Sequence, residues 1–256
     1  MSTTLRIAAA GDVHASELHR ERIEQAFASL DGIDVVLLAG DLTAHGEPEE
    51  AEILARACRG VEAVVLAVLG NHDVHSDKGD ELVRILGDAG VRVLDAESTS
   101  CSVNGVQVGI AGTKGFVGGF PGSSLPDFGE PLLRRVYAAT SEEVAALERA
   151  LQEIIDADLR IVLLHYSPVA DTLEGEPPGI HAFLGSARLG IPIAEYQPDL
   201  VVHGHAHAGT FEGRIGETPV YNVAIHVTGQ DFYVFELEVE VRGRSAVEVE
   251  SHPDVP

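Results

Sequence analysis

The stretch LGNHDVHS, Leu69–Ser76, ends the aliphatic run VEAVVLAV (residues 61–68) on Gly, Asn, His and Asp. A turn accounts for Gly70 and Asn71. It does not account for the imidazole and carboxylate that follow, His72 and Asp73. The same break recurs on both sides of this stretch. LRIAAAGDVH (Leu5–His14) runs out on Gly11, Asp12 and His14, and DVVLLAGD (Asp34–Asp41) on Gly40 and Asp41. DLVVHGHAH (Asp199–His207) runs out on Gly204, His205 and His207, and LRIVLLHYSP (Leu159–Pro168) reaches His165 without a glycine. Each apolar run is short and rich in Val, Leu and Ile, the signature of a strand buried on both faces.

Amphipathic stretches alternate with these strands. Residues 16–30 carry Ile23, Phe27 and Leu30 at helical spacing, and residues 47–58 begin a second helix on the solvated run EPEEAE. Residues 80–89 place Leu82, Ile85 and Leu86 on one face, before the short strand VRVLD (Val91–Asp95). Strands alternating with helices predict a parallel sheet. The pattern then changes. CSVNGVQVGIAG holds Asn104-Gly105 between alternating apolar residues, a hairpin signal. A Gly- and Pro-rich loop over 115–131 reads equally as a mobile flap over the site or as an ordinary surface loop. The next helix is expected to begin at Thr140, with Thr140 and Glu143 as a capping box. Its buried side would be Val144, Leu147, Leu151, Ile154 and Ile155. A further helix is expected over 186–195. In DFYVFELEVEV (residues 231–241), Tyr233, Phe235, Leu237, Val239 and Val241 share one face, and Glu236, Glu238 and Glu240 the other. That is a half-buried antiparallel strand. The fold class is therefore α/β, expected as a four-layer α/β/β/α sandwich of two mixed sheets with flanking helices. Residues 1–250 read as one domain and 251–256 as a loose tail.

Composition narrows the function. The 256 residues are 45% apolar but only 5% aromatic, so the core rests on aliphatic side chains. Basic residues number 17 against 41 acidic ones, a formal charge of −24. Such a surface repels nucleic acid polymers, whose binding needs Lys and Arg on phosphates. No apolar run approaches the roughly 18 residues of a membrane span. The N-terminal apolar stretch is too short for a secretory signal, so a soluble cytoplasmic protein is expected. Cys58 and Cys101 are too few for a disulfide framework and are not spaced as a metal pair.

The strand ends carry the chemistry. In an open α/β sheet the carboxyl ends of the strands form one rim, where ligands bind. Glycine at each exit lets the backbone turn sharply. Asp12 and His14 are two apart, as are His205 and His207, so extended backbone would point each pair to one side. Asp, Asn and His suit zinc, manganese or iron. The absence of Cys disfavours a structural zinc site, and the imidazoles are too many for calcium. Lys114, one of two lysines, and His226, expected on a strand near the rim, are candidates to bind substrate. His203, His45, His75, His181, Arg134 and Arg135 also read as strand, surface or lid residues.

The ordered set D-x-H, G-D, G-N-H-D, H and G-H-x-H, running from Asp12 to His207, resembles the calcineurin-like metallophosphoesterase superfamily. The resemblance implies a phosphoric ester hydrolase with two divalent or trivalent ions of manganese, iron or zinc. Asp12, His14, Asp41 and His207 would hold one ion, and Asp41, Asn71, His165 and His205 the other, with Asp41 bridging. His72 would contact the phosphate and assist the leaving oxygen, and Asp73 would orient His72. A water bridging the ions, its pKa lowered to about 7, would attack phosphorus as hydroxide. Two divalent ions outweigh the two carboxylates, so the site attracts phosphate inside an acidic protein. Protein Ser/Thr phosphatases of the superfamily carry Arg soon after the second Asp and Glu after the catalytic His. GDLTAHG and GNHDVH depart from both and look more like bacterial phosphodiesterases. A small phosphate diester is the expected substrate, with no membrane partner, and a homo-oligomer is compatible with the sequence. The alternatives are a catalytically silent scaffold for protein binding, or a phosphomonoesterase or nuclease of the same fold.

Overall fold

A computed structural model describes residues 2–240 of the chain. The first half alternates as the hydrophobic pattern predicts: β1 (Ser2–Ala10), α1 (Arg20–Ala28), β2 (Val35–Ala39), α2 (Pro48–Cys58), β3 (Val64–Val68), α3 (Gly79–Asp88) and β4 (Val91–Val93). Then come β5 (Glu97–Val103), β6 (Val106–Thr113), the small β7 (Gly119–Phe120) and β8 (Ser123–Ser124), α4 (Pro131–Glu153) and β9 (Leu159–Leu164). The chain continues through α5 (His181–Leu184), α6 (Gly190–Tyr196), β10 (Leu200–His203), β11 (Glu212–Ile215), β12 (Thr218–Asn222), α7 (Ile225–Thr228) and β13 (Tyr233–Glu240).

Two large mixed sheets result, ordered β13-β1-β2-β3-β4 and β11-β12-β10-β9-β6-β5. β1, β2, β3 and β4 run parallel, with β13 antiparallel at the edge. In the other sheet β12, β10, β9 and β6 run parallel, with β11 and β5 antiparallel outside them. Period-two alternation sorts the side chains. Leu5, Ile7, Ala9, Val35 and Leu37 join Val108, Ile110, Ile161, Leu163 and Val202 of the second sheet in one apolar cluster. Their neighbours Ala8, Ala10, Val36 and Leu38 pack instead against Ile23, Phe27, Leu54, Leu82 and Leu86 of α1, α2 and α3. The outer face of the second sheet, through Val162, Leu164 and Val201, meets Leu147 and Leu151 of α4 and Ile193 of α6. Both sheets are thus apolar on two faces, which explains the near-continuous aliphatic runs.

Three expectations need correction. α4 begins at Pro131, nine residues before Thr140. Proline suits a first helical turn because its missing N–H has no partner there anyway. Thr140 lies buried within the helix, its hydroxyl donating to the Val117 carbonyl at 2.6 Å. Glu143 is no cap; its carboxylate accepts from the Thr113 hydroxyl and from Gly115 N. The helix expected over 186–195 splits into a 3-10 turn at Ala187–Leu189 and α6, shifted to 190–196. The 115–131 segment is no free flap in its first half. Gly118 N and Gly119 N donate to Ala182 O and Gly185 O, and Phe120 is buried. Val241 and the tail 251–256 lie outside the described residues. Among the described residues no helix is long and apolar enough to cross a membrane.

Candidate metal centre

Parallel strands deliver their carboxyl ends to one place. Asp12 and His14 follow β1, Asp41 follows β2, Asn71 and His72 follow β3, His165 follows β9, and His205 and His207 follow β10. Their ligand atoms fall into three groups, each within 4.8 Å: Asp12, His14 and His207; His14, Asp41 and His72; Asp41, His165 and His205. Asn71 Oδ1 lies 2.9 Å from His165 Nε2. Every strand-end residue singled out in the sequence as a ligand is therefore in one cluster, and Asp41 belongs to two of the groups.

The backbone that achieves this is not extended. Asp12, His14, Asp41 and His205 all occupy the left-handed region, with φ of 60°, 47°, 48° and 71°. For residues with a Cβ such conformations cost of order 1–3 kcal/mol each and persist where surrounding structure imposes them. Here backbone hydrogen bonds do so: Asp12 N to Gly40 O at 3.0 Å and His14 N to Asp41 O at 2.9 Å. His205 N donates to Asp12 Oδ2 at 2.9 Å, and His72 N to Asp41 Oδ1 at 2.8 Å. The glycines also differ from expectation. Of the four at the motif turns, Gly40 alone has a positive φ, 79°. Gly70 and Gly204 leave room instead, since a Cβ would overlap the Asp41 carboxylate at one and the Asp12 carboxylate at the other.

Ring orientations test whether the donor set suits cations. His165 Nδ1 faces the Ala39 carbonyl at 2.9 Å, so Nδ1 carries the proton and Nε2 the lone pair. Burial pushes this imidazole down to about 3, so it is neutral near pH 7. Its Nε2 lone pair faces Asn71 Oδ1 and, at 3.3 Å, Asp41 Oδ1. With its Nδ1 proton on Ala39 O, the His165 ring offers its Nε2 lone pair beside the Asn71 amide and the Asp41 carboxylate, a set of donor atoms that suits a cation. His205 Nε2 donates to Phe183 O at 3.1 Å, leaving its Nδ1 lone pair free. Burial pushes His205 to about 3 and His14 to about 4. Near His207 the balance reverses, because its hydrogen bond to the Asp12 carboxylate at 2.9 Å holds the ring above its ordinary value. Neutral imidazoles around buried carboxylates are the donor set of a transition-metal site.

The family described as calcineurin-like phosphoesterase matches residues 5–209, which span this entire donor set. The chain belongs to that family. It is a metal-dependent hydrolase of phosphoric esters, and its family binds a dinuclear metal centre. No curated protein matches the phosphoesterase. Among solved structures it is similar to phosphopantetheinyl hydrolase (PptH) from Mycobacterium tuberculosis, with 16% identity over 97% of this chain and 98% of that one, at TM-score 0.67. It is also similar to TT1561 of Thermus thermophilus, with 19% identity over 86% and 89% of the two chains, at TM-score 0.54. At such identities the likeness is one of fold.

Two expectations around the phosphoesterase centre differ from the geometry, one on what Asp73 contacts and one on where His226 lies. Asp73 does not touch the His72 ring, which is turned by donation from Nδ1 to the Ala44 carbonyl at 2.7 Å. The buried Asp73 carboxylate instead accepts from Leu42 N, Thr43 N, the Thr43 hydroxyl and Gly70 N. It staples the turn after β2 to the turn after β3, and so supports the turn that presents His72 without touching its ring. His226 sits in α7, not on a strand; its exposed ring stacks on His207 at 4.2 Å and 11°. Lys114 lies at the end of β6, its Nζ 4.8 Å from the Phe116 ring and 5.3 Å from the Tyr166 ring. His203 is fully buried, whereas His45 is exposed and pairs with Glu50, and Arg134 pairs with Asp127. The sequence reading misses Tyr166, whose ring lies 4.5 Å from that of His205. Its position directly after His165 is the available signal. It also misses Glu176, which no motif marks, and the part played by Thr43, the last residue of GDLT.

Proposed function

We propose that the phosphoesterase hydrolyses small phosphate esters, diesters above all, at a centre of two metal ions. Asp12, His14, Asp41 and His207 surround one ion, and Asp41, Asn71, His165 and His205 the other. The observation that supports this is the placement of Asp41. Its Oδ1 lies 3.3 Å from His165 Nε2, and its Oδ2 lies 3.9 Å from both His14 Nε2 and His72 Nε2. A carboxylate so placed presents one oxygen to each half of the donor set. When bound, the ions supply a water of lowered pKa and neutralise charge on the phosphoryl oxygens.

The chain's own residues supply the rest. His72 keeps its Nδ1 proton on Ala44 O, so Nε2 faces the cluster. As an imidazolium it donates from Nε2 to the departing oxygen. Lys114, an ammonium held beside two rings, and His226, stacked on His207, border the cluster and contact the ester's oxygens or its leaving group. The formal charge of −24 favours a singly charged diester over a doubly charged monoester and disfavours a nucleic acid polymer. Free Cys58 and Cys101 fit a reducing cytoplasm.

The test is a panel of phosphomonoesters, linear diesters and cyclic nucleotides with Mn²⁺, against a chelated control. Hydrolysis of diesters, lost on chelation, is expected. A metal-loaded protein inert toward the whole panel, with His72→Ala altering nothing, would leave a protein-binding scaffold as the better reading.

A further inference from the structure

Residues 171–184 pass over the loop that carries His205 and His207, and several hydrogen bonds bind them to it, among them one from the Thr210 hydroxyl to Asp171 O at 2.8 Å. Thr210 N donates to Thr172 O at 3.1 Å. Thr172 Oγ1 lies 2.9 Å from His203 Nε2. Ala208 N donates to Glu176 Oε1 at 2.7 Å. His205 Nε2 donates to Phe183 O at 3.1 Å. The two backbones touch so closely that glycine is needed on each side. A Cβ on Gly175 would overlap the Ala208 carbonyl, and one on Gly209 the Thr172 carbonyl.

The chemistry of these contacts is directional. His203 Nδ1 faces the Gly204 carbonyl at 2.8 Å and so carries a proton. The Nε2 of the neutral ring is then an acceptor, and the Thr172 hydroxyl is its donor. Both side chains are fully buried, so removing that hydroxyl leaves the Nε2 of His203 without a partner. His203 thereby grips the carbonyl of the residue before His205. Glu176, mostly buried, grips the amide of the residue after His207. The loop is held at both ends while Phe183 O sets the His205 ring.

From this we infer that residues 171–184 form a strap whose Thr172 and Glu176 are positioning residues of the metal centre, acting through His203 and Ala208. The inference rests on the reading of His205 and His207 as ligands. Partners that orient ligands in this way are worth roughly 10–100-fold in metal affinity.

The experiment is Mn²⁺ titration of the full chain, followed by calorimetry and by the electron paramagnetic resonance of the bound ions. Thr172→Val and Glu176→Ala are each expected to weaken at least one of two ions about 10–100-fold. Thr172→Ser keeps the hydroxyl and Glu176→Gln keeps a carbonyl acceptor for Ala208 N, so both are expected to stay within about threefold of the parent. Circular dichroism and melting of the metal-free proteins check the fold. Should Thr172→Val not fold, Glu176→Ala decides. A parent that takes up two ions while Thr172→Val and Glu176→Ala match its affinities overturns the strap and leaves the metal centre standing. A parent that takes up none overturns both.

Discussion

The backbone N–H of His72 donates to Oδ1 of Asp41 at 2.8 Å. The turn that presents the proposed acid is thus fixed by the carboxylate lying between the two halves of the donor set. The two functions cannot be perturbed separately at Asp41. Asp41→Asn removes a charge shared by both ions and leaves one acceptor oxygen where the His72 amide and both halves of the donor set call for two. It is expected to lower kcat/KM by at least about 100-fold, more than any other single ligand change. Steady-state kinetics beside His14→Ala checks this; a milder effect than that of His14→Ala would sink the bridging role.

His72 is expected to act on the leaving group. His72→Ala should bind both ions with little change and lose about 10²–10⁴ in kcat. The loss should be smaller for an aryl diester, whose leaving oxygen needs no proton, than for an alkyl one. Equal losses on both substrates would remove His72 from that role.

Asp73 is expected to act on stability. Asp73→Ala strands four donors, among them Leu42 N and Gly70 N, in a fully buried setting. Urea unfolding should show a loss of about 3 kcal/mol or more. A change below about 1 kcal/mol would mean that water or a shifted turn satisfies those donors.

Gly70→Ala and Gly60→Ala make a matched pair. A Cβ at Gly70 overlaps the Asp41 carboxylate and amide, whereas at Gly60 nothing lies within 4 Å. Gly70→Ala should abolish most Mn²⁺ uptake, and Gly60→Ala should leave uptake unchanged. Metal titration of the two variants checks the contrast.

Acid should destabilise the metal-free protein. Burial lowers His165 to about 3 and His203 to about 4, below the ordinary 6.5. At these two rings the unfolded chain binds more protons than the folded one between pH 4 and pH 6.5, so their contribution to stability rises with pH across that window, while the buried Asp73 carboxyl, raised from 3.8 to about 6, offsets part of it. Their contribution is fully present above pH 6.5 and is lost as pH falls toward 4. Each ring should cost roughly 2 kcal/mol at about pH 5 relative to about pH 7.5. Urea midpoints in chelator at the two pH values measure it, and a flat profile would contradict neutral, buried rings.

The α/β class, the strand ends and the ligand types are legible in the sequence because each is local. An aliphatic run that stops on Asp, His or Asn states where a strand ends and what it offers. The parallel order of β1, β2 and β3 follows from the intervening helices. The start of α4 is misread because Thr140 and Glu143 match a cap in sequence, while their hydroxyl and carboxylate serve residues 113–117 across the fold.

Tertiary structure decided what depends on residues far apart in the chain. Gly70 is glycine because Asp41, from another strand, occupies the space of its Cβ. Asp73 serves the turn after β2 and not its neighbour His72, because the buried amides of that turn outcompete an imidazole already held by Ala44. Glu176 and Thr172 carry no motif, since holding a loop takes only an acceptor or a hydroxyl at the right place. Sequence names the groups that can bind a cation; only the packing of two sheets fixes which lone pairs meet, because that depends on distances no local pattern encodes.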